Sequence, residues 1–168
     1  MCSSDLASLA NLAELGAEIV NVELPQPFAA YTQANATIME AEGYVENEAL
    51  IERDDLPLDR HVRERFRRGR GIGAAAYVRV LRQRAQAARA FAETLDGVDA
   101  LLTPTTATPA VAVADVDENV SPAHFTRAGN FVGLCGLALP NGVTAAGLPV
   151  ANEARIAVIV VPMFAPSV

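Results

Sequence analysis

Apolar positions recur at helical steps over residues 6–15, and Gly16 stands where a left-handed C-cap would end such a helix. Residues 17–24 switch to alternation and are rich in Val and Ile. That predicts a strand, ended by Pro25 and Pro27. Residues 28–44 return to an Ala-rich helical pattern, and residues 54–59, with Pro57, read as a loop. Leu58 and Asp59 then lead into a short helix to Arg68, with Asp59 as its N-cap. Gly69, Gly71 and Gly73 break it. Residues 74–95 predict the longest helix, closed by Gly97. Residues 98–103 are a short apolar run between Gly97 and Pro104, which suits a buried strand. Residues 105–119, rich in Thr, Pro and Val, read mostly as loop. Ser121 caps a helix predicted over 122–134, with Pro122 first. Residues 137–140 read as a second buried strand, Asn141-Gly142 as its turn, and 155–161 as a last strand.

Alternating helices and strands favour an α/β architecture, with a mixed sheet flanked by helices. Residues 98–102 and 137–139 should be buried strands of one sheet, with helix 74–95 on its face. Each run is too short to be stable without that cover. No internal repeat is visible.

Composition narrows the function classes. The chain has 168 residues, of which 51% are hydrophobic and 20% charged, a globular composition. Its net charge of −7 speaks against nucleic acid and acidic membranes as partners. Two cysteines, Cys2 and Cys135, and two histidines, His61 and His124, give no metal-binding spacing. No metal or cofactor is expected. The start shows no basic stretch followed by an apolar one, and the apolar run 156–164 is too short to span a bilayer. A cytoplasmic protein is expected. All thirteen basic residues are arginine, with no lysine.

Ten of the thirteen arginines fall between Arg60 and Arg89. Arg63, Arg67 and Arg70 recur at helical steps, as do Arg82 and Arg89, which reads as a solvated face balanced by Glu64 and Glu93. A different reading makes these helices a module that binds anions or RNA. Cys135, His124 and Asp115 or Asp117 have the residue types of a thiol triad, but Cys135 sits in an apolar context and reads as core. His124 reads as a partly exposed residue of the helix that Pro122 opens. Thr103, Thr105 and Thr106 follow a predicted strand, and ligands gather beyond the carboxyl ends of strands in α/β sheets. Hydroxyls in such a Pro-rich turn also satisfy backbone groups.

Four stretches resemble the amidase-signature family, in the family's order. They are LGAEIVNVELP (15–25), VRERFRRG with AAAYVRVLRQRA (62–85), DGVDALLTPTTATPA (96–110) and FTRAGNFVGLCGLALPNGVTAAGLPV (125–150). The last two together are specific. This chain departs from the pattern at Cys135-Gly136, where the family has Pro-Ala, and after Val150, where a Gly-Leu-Gln strand gives way to Ala151-Asn152-Glu153.

The resemblance implies the C-terminal part of an amidase-signature fold, an incomplete domain over residues 7–150. Residues 1–6 would be a non-native N-terminus, since they look like the translated end of a sequencing adapter. Residues 151–168 would be a divergent tail. It implies hydrolysis of amide carbon–nitrogen bonds, with a small-molecule amide as substrate of the full-length enzyme. The family works through two serines and a lysine. No lysine exists here, and arginine cannot replace it because its guanidinium stays protonated. Ser3, Ser4, Ser8, Ser121 and Ser167 lie in no glycine-framed loop. The expectation is therefore no catalytic residue, an inactive chain, and oligomers or aggregates when it is alone. The same resemblance admits a fragment of the A subunit of a tRNA-dependent amidotransferase. It implies substrate-lining roles for Thr103, Thr105, Thr106, Thr126 and Asn130. Arg65 matches the arginine with which amidotransferase-like members hold a substrate α-carboxylate, a partner suited to a guanidinium fork.

Overall fold

The structure is a computed structural model that describes residues 3–106, 110–117, 120–140 and 155–160. Its elements are α1 (Ser3–Glu14), α2 (Phe28–Ile51), α3 (Arg60–Gly69), α4 (Ala74–Thr94), β1 (Ala100–Pro104), a 3-10 turn (Val113–Asp115), α5 (Thr126–Val132), β2 (Leu137–Pro140) and β3 (Arg155–Val160). Helices dominate, and α2, with 24 residues, is longer than α4, with 21.

Local chemistry accounts for the helix ends. Gly16 closes α1 at φ +97°, and the Ala17 amide donates to the Leu12 carbonyl at 3.0 Å. The Asp59 carboxylate accepts from the Val62 amide at 2.9 Å, as expected of an N-cap. Gly97, at φ +75°, follows α4. The helix expected over 122–134 is shorter. Ser121 Oγ accepts from the Ala123 amide at 3.3 Å, but the chain turns before α5 begins at Thr126. Gly133, at φ +80°, ends α5. Arg84 Nε donates to the Phe131 carbonyl at 2.7 Å and so satisfies one of the orphan acceptors of that last turn.

The core is built mainly by helices. Tyr31, Ala34 and Ile38 of α2 meet Val80, Ala87 and Phe91 of α4, and Ala128 and Phe131 of α5 close the third side. Tyr31, Phe91 and Phe131 are wholly enclosed. The Tyr31 ring lies edge-on to Phe91 at 6.0 Å and tilted to Phe131 at 6.2 Å. Burial raises the Tyr31 phenol above its usual pKa.

Two glycines bring α2 and α3 close. A Cβ on Gly69 would overlap the Glu40 carbonyl, and one on Gly43 would overlap the Phe66 ring. Gly43 sits inside a long helix, where glycine ordinarily costs stability. Here it makes room for the Phe66 ring.

The sheet has three strands in the order β1-β3-β2, and both pairings are antiparallel. A mixed sheet was expected, yet every described pairing is antiparallel. β3 inserts between the other two, with Leu102 opposite Val158 and Leu137 opposite that same Val158. Residues 98–102 and 137–139 thus belong to one sheet without being neighbours. β1 is buried on one side, through Leu101 and Thr103. Leu137 is 52% exposed, against the expectation of a buried strand. α4 meets the sheet through β1. It packs against α2 and α5, and only Leu101 of β1 reaches into that core.

Residues 17–24, expected as a strand, form none and pair with no described strand. Val22 and Leu24 turn onto the core while Ile19 and Val20 are exposed. Alternation of apolar residues alone does not supply the hydrogen-bonded neighbour that a strand needs. The turn at Asn141-Gly142 lies outside the described residues.

Candidate functional site

The α3 helix carries most of the chemistry because its arginines face two ways. The face read as solvated is buried at one end, at Arg63, and exposed at the other, at Arg70. Arg63 is only 8% exposed. Its Nη1 donates to the carbonyls of Ile51 (3.0 Å) and Arg53 (2.6 Å), and its Nη2 to that of Leu56 (2.7 Å). Those carbonyls belong to the end of α2 and the loop after it, so Arg63 ties the connection down. Arg67 Nη2 meets Asp54 at 2.7 Å, and Arg70 lies 3.7 Å from Glu52. Arg67's hydrogen bond holds the Asp54 carboxyl below the usual carboxylate range. Glu64, expected to balance this face, pairs instead with Arg60 at 2.8 Å. Arg82 and Arg89 are exposed, as expected.

The opposite face opens onto a cleft of ≈ 270 Å³ between α2, α3 and the approach to α5. His61, Glu64, Arg65 and Arg68 line it from α3, Met39 and Glu40 from α2, and Ser121 and Arg127 from the third side. Most of its charges are spent within the chain. Arg68 places Nε and Nη2 on one Glu40 oxygen at 2.9 and 2.6 Å. Glu64 is engaged by Arg60, whose hydrogen bond lowers its pKa. Arg127 Nη2 donates to the neutral Ser121 Oγ at 3.1 Å. Half-buried Arg65 has neither a hydrogen bond nor an ion pair among the described residues.

The other candidate residues do not line this cleft. Thr126 opens α5 beside Arg127, and its hydroxyl donates to the Ala123 carbonyl at 3.4 Å. Asn130, on the same helix, is exposed. Thr103 is 8% exposed, and its hydroxyl has no partner among the described residues. Thr105 and Thr106 follow β1, half-buried and each engaged in an interaction. The set therefore falls into three places, with Arg65 on the cleft, Thr126 and Asn130 on α5, and the three threonines at the end of β1.

Two further expectations need correction or refinement. Cys135 is exposed rather than core, because the chain leaves the packed layer after Leu134, the last residue of this stretch against the core. His124 is half-buried as expected, but in the turn before α5, with its ring against Phe125 (4.9 Å) and Phe28 (5.8 Å). Sequence reasoning missed His61, Arg68 and Arg127. The four-residue step from His61 to Arg65, and the three-residue step on to Arg68, were a signal for the first two. Nothing local marked Arg127. Among the described residues, no cluster of three or more His, Cys, Asp or Glu is placed to hold a metal ion. No helix among them is long and apolar enough to cross a membrane.

The model of the family described as Amidase matches residues 5–154. A 2-amino-5-chloromuconic acid deaminase from Comamonas testosteroni is 31% identical over 86% of this chain and 33% of its own length. The A subunit of a glutamyl-tRNA(Gln) amidotransferase from Koribacter versatilis (strain Ellin345) is 28% identical, over 86% of this chain and 36% of its own. A crystal structure of an amidase superimposes with a TM-score of 0.79 at 22% identity, covering 94% of this chain and 37% of that one. The chain thus spans about a third of the length of these relatives.

Proposed function

Because the chain belongs to the amidase family, we propose that it is the later portion of an amide hydrolase and supplies a substrate wall rather than the nucleophile. In this reading residues 7–150 are the C-terminal part of the amidase domain, and the protein is cytoplasmic. The observation that carries it is Arg65, a half-buried guanidinium with no partner among the described residues, facing a cleft. A guanidinium left unpaired in a recess favours a carboxylate, which it grips through two parallel hydrogen bonds. The substrate is then a small amide bearing a carboxylate. Arg65 fixes the carboxylate end, while Thr103, Thr105, Thr106, Thr126 and Asn130 border the path toward the scissile bond. Thr103 brings a buried hydroxyl that lacks a partner among the described residues.

The chain has no lysine, and none of its serines lies in a glycine-framed loop. Serine attack needs both a base and oxyanion donors, and removing even one donor costs about 10²–10³ in rate. The purified chain should release no ammonia from a panel of aliphatic and aromatic amides. It should nevertheless bind glutamine, and Arg65→Gln should abolish that binding. Turnover that survives stringent purification and vanishes in Cys135→Ala would move the reading to thiol chemistry. Equal glutamine binding by the Arg65→Gln variant would remove Arg65 from it.

The second reading, a portion of the A subunit of a tRNA-dependent amidotransferase, is favoured by the Koribacter relative. It shares the carboxylate role of Arg65. The anion- or RNA-binding module is left with fewer arginines, since Arg63 and Arg67 are engaged by the chain's own carbonyls and carboxylates.

A further inference from the structure

We propose that the cleft is built for a substrate with two carboxylates, the second held by Arg127. This rests on the carboxylate reading of Arg65 and adds the class of substrate to it.

The charges lining this one recess do not balance. Arg68 is neutralised by Glu40 and Glu64 by Arg60. Among the described residues, two guanidinium groups of this cleft have no carboxylate, Arg65 from α3 and Arg127 from α5. They come from separate elements, so the fold, and not a helical repeat, puts them on one cleft. Two like charges sharing a recess repel one another, and a single carboxylate would compensate only one of them. Arg127 is also held in place, since its Nη2 donates to Ser121 Oγ at 3.1 Å. That hydroxyl is neutral and leaves the positive charge available. The recess measures ≈ 270 Å³, below the roughly 300–1,000 Å³ usual for drug-sized ligands. A small metabolite fits that size. Met39 and Ala36 line the same cleft and offer an apolar wall to a short methylene chain.

Calorimetric titration of the whole chain with propionate, glutarate and inorganic phosphate tests this. Glutarate should bind about tenfold tighter than propionate, the gain expected of one added charge-assisted contact. Arg127→Gln should bring glutarate down to the propionate level and leave propionate unchanged. Arg65→Gln should weaken both. Ser121→Ala, which removes the hydroxyl holding Arg127, should reduce the glutarate preference by less. Because this second change is small and exposed, it keeps the test valid if Arg127→Gln fails to fold. Equal binding of propionate and glutarate by the unaltered chain would overturn the second carboxylate and leave the amide reading standing. So would phosphate binding tighter than glutarate, since that would make the cleft a site for a compact dianion. Binding of none of the three would overturn both readings.

Discussion

The two faces of α3 carry the same residue type and do opposite work. Arg63 donates to three backbone carbonyls, while Arg65, two positions on, has no partner among the described residues. The difference lies in what the chain places opposite. The loop after α2 presents carbonyls and the carboxylates of Asp54 and Glu52 to Arg63, Arg67 and Arg70. The cleft presents Glu40 to Arg68 and leaves Arg65 open. An arginine saturated by its own chain is a structural fastener, and an unsaturated one in a recess is available to a ligand. Substitution should separate the two roles, because the fasteners act on stability and the open residue on binding.

The largest effect belongs to Arg63. Arg63→Met strands three carbonyls that water reaches poorly, and breaking hydrogen bonds to a buried charged group should cost roughly 3 kcal/mol. For a chain of this size that is a fall in Tm of roughly 10 °C, readable by circular dichroism. A melt unchanged within error would remove Arg63 from the structural face. Gly69→Ala comes next. Its methyl group would collide with the Glu40 carbonyl, a backbone atom that cannot step aside. Overpacking of this kind costs about 2 kcal/mol. Because Glu40 also lines the cleft, this variant should weaken ligand binding as well, which Arg63→Met should do less.

What could be read from the sequence follows from the range of the forces involved. Helix existence and helix ends rest on local chemistry, so Asp59, Gly16 and Gly97 announced theirs correctly. The burial of Arg63 was illegible because a charged residue is solvated by default, and its carbonyl partners lie seven to twelve residues away. Gly43 gave no sign either, because its reason is Phe66 on another helix. The strand order β1-β3-β2 depends on pairing across more than fifty residues of sequence, and no local pattern encodes that. At the candidate site, Arg65 was visible through family resemblance. Arg127 became a candidate only once α5 was seen to approach α3.

The next effect appears only in alkali. Tyr44 is buried at the joint of α2 and α3, and its single hydroxyl proton is shared between Glu48 and Glu52, each at 3.1 Å. Burial first, then these two carboxylates, push its phenol up to about 12. A folded pKa raised above the ordinary value near 10 favours the protonated fold. Its stabilisation is complete below about pH 10 and is lost as pH rises through about 12. The unaltered chain should therefore lose stability over that window faster than Tyr44→Phe, which has no proton to release. Parallel pH dependence of the two melts would show that the Tyr44 proton is not coupled to folding.

The smallest stability effect is expected where the binding effect is greatest. Arg65→Gln removes no hydrogen bond and no ion pair among the described residues, so nothing is left stranded when it goes. Surface changes of that kind stay within about 0.5 kcal/mol. The change can even stabilise slightly, because it relieves the repulsion between Arg65 and Arg127 across the cleft. Ligand sites commonly keep such an uncompensated charge, which costs a little stability until the ligand supplies the counter-charge. The measurement is a paired one, a thermal melt with and without saturating glutarate. The unaltered chain should gain Tm on adding ligand, whereas Arg65→Gln should start level or higher and gain nothing. A clear fall in the unliganded melt of Arg65→Gln would mean that the chain itself already uses Arg65, and the contrast between the two faces of α3 would disappear.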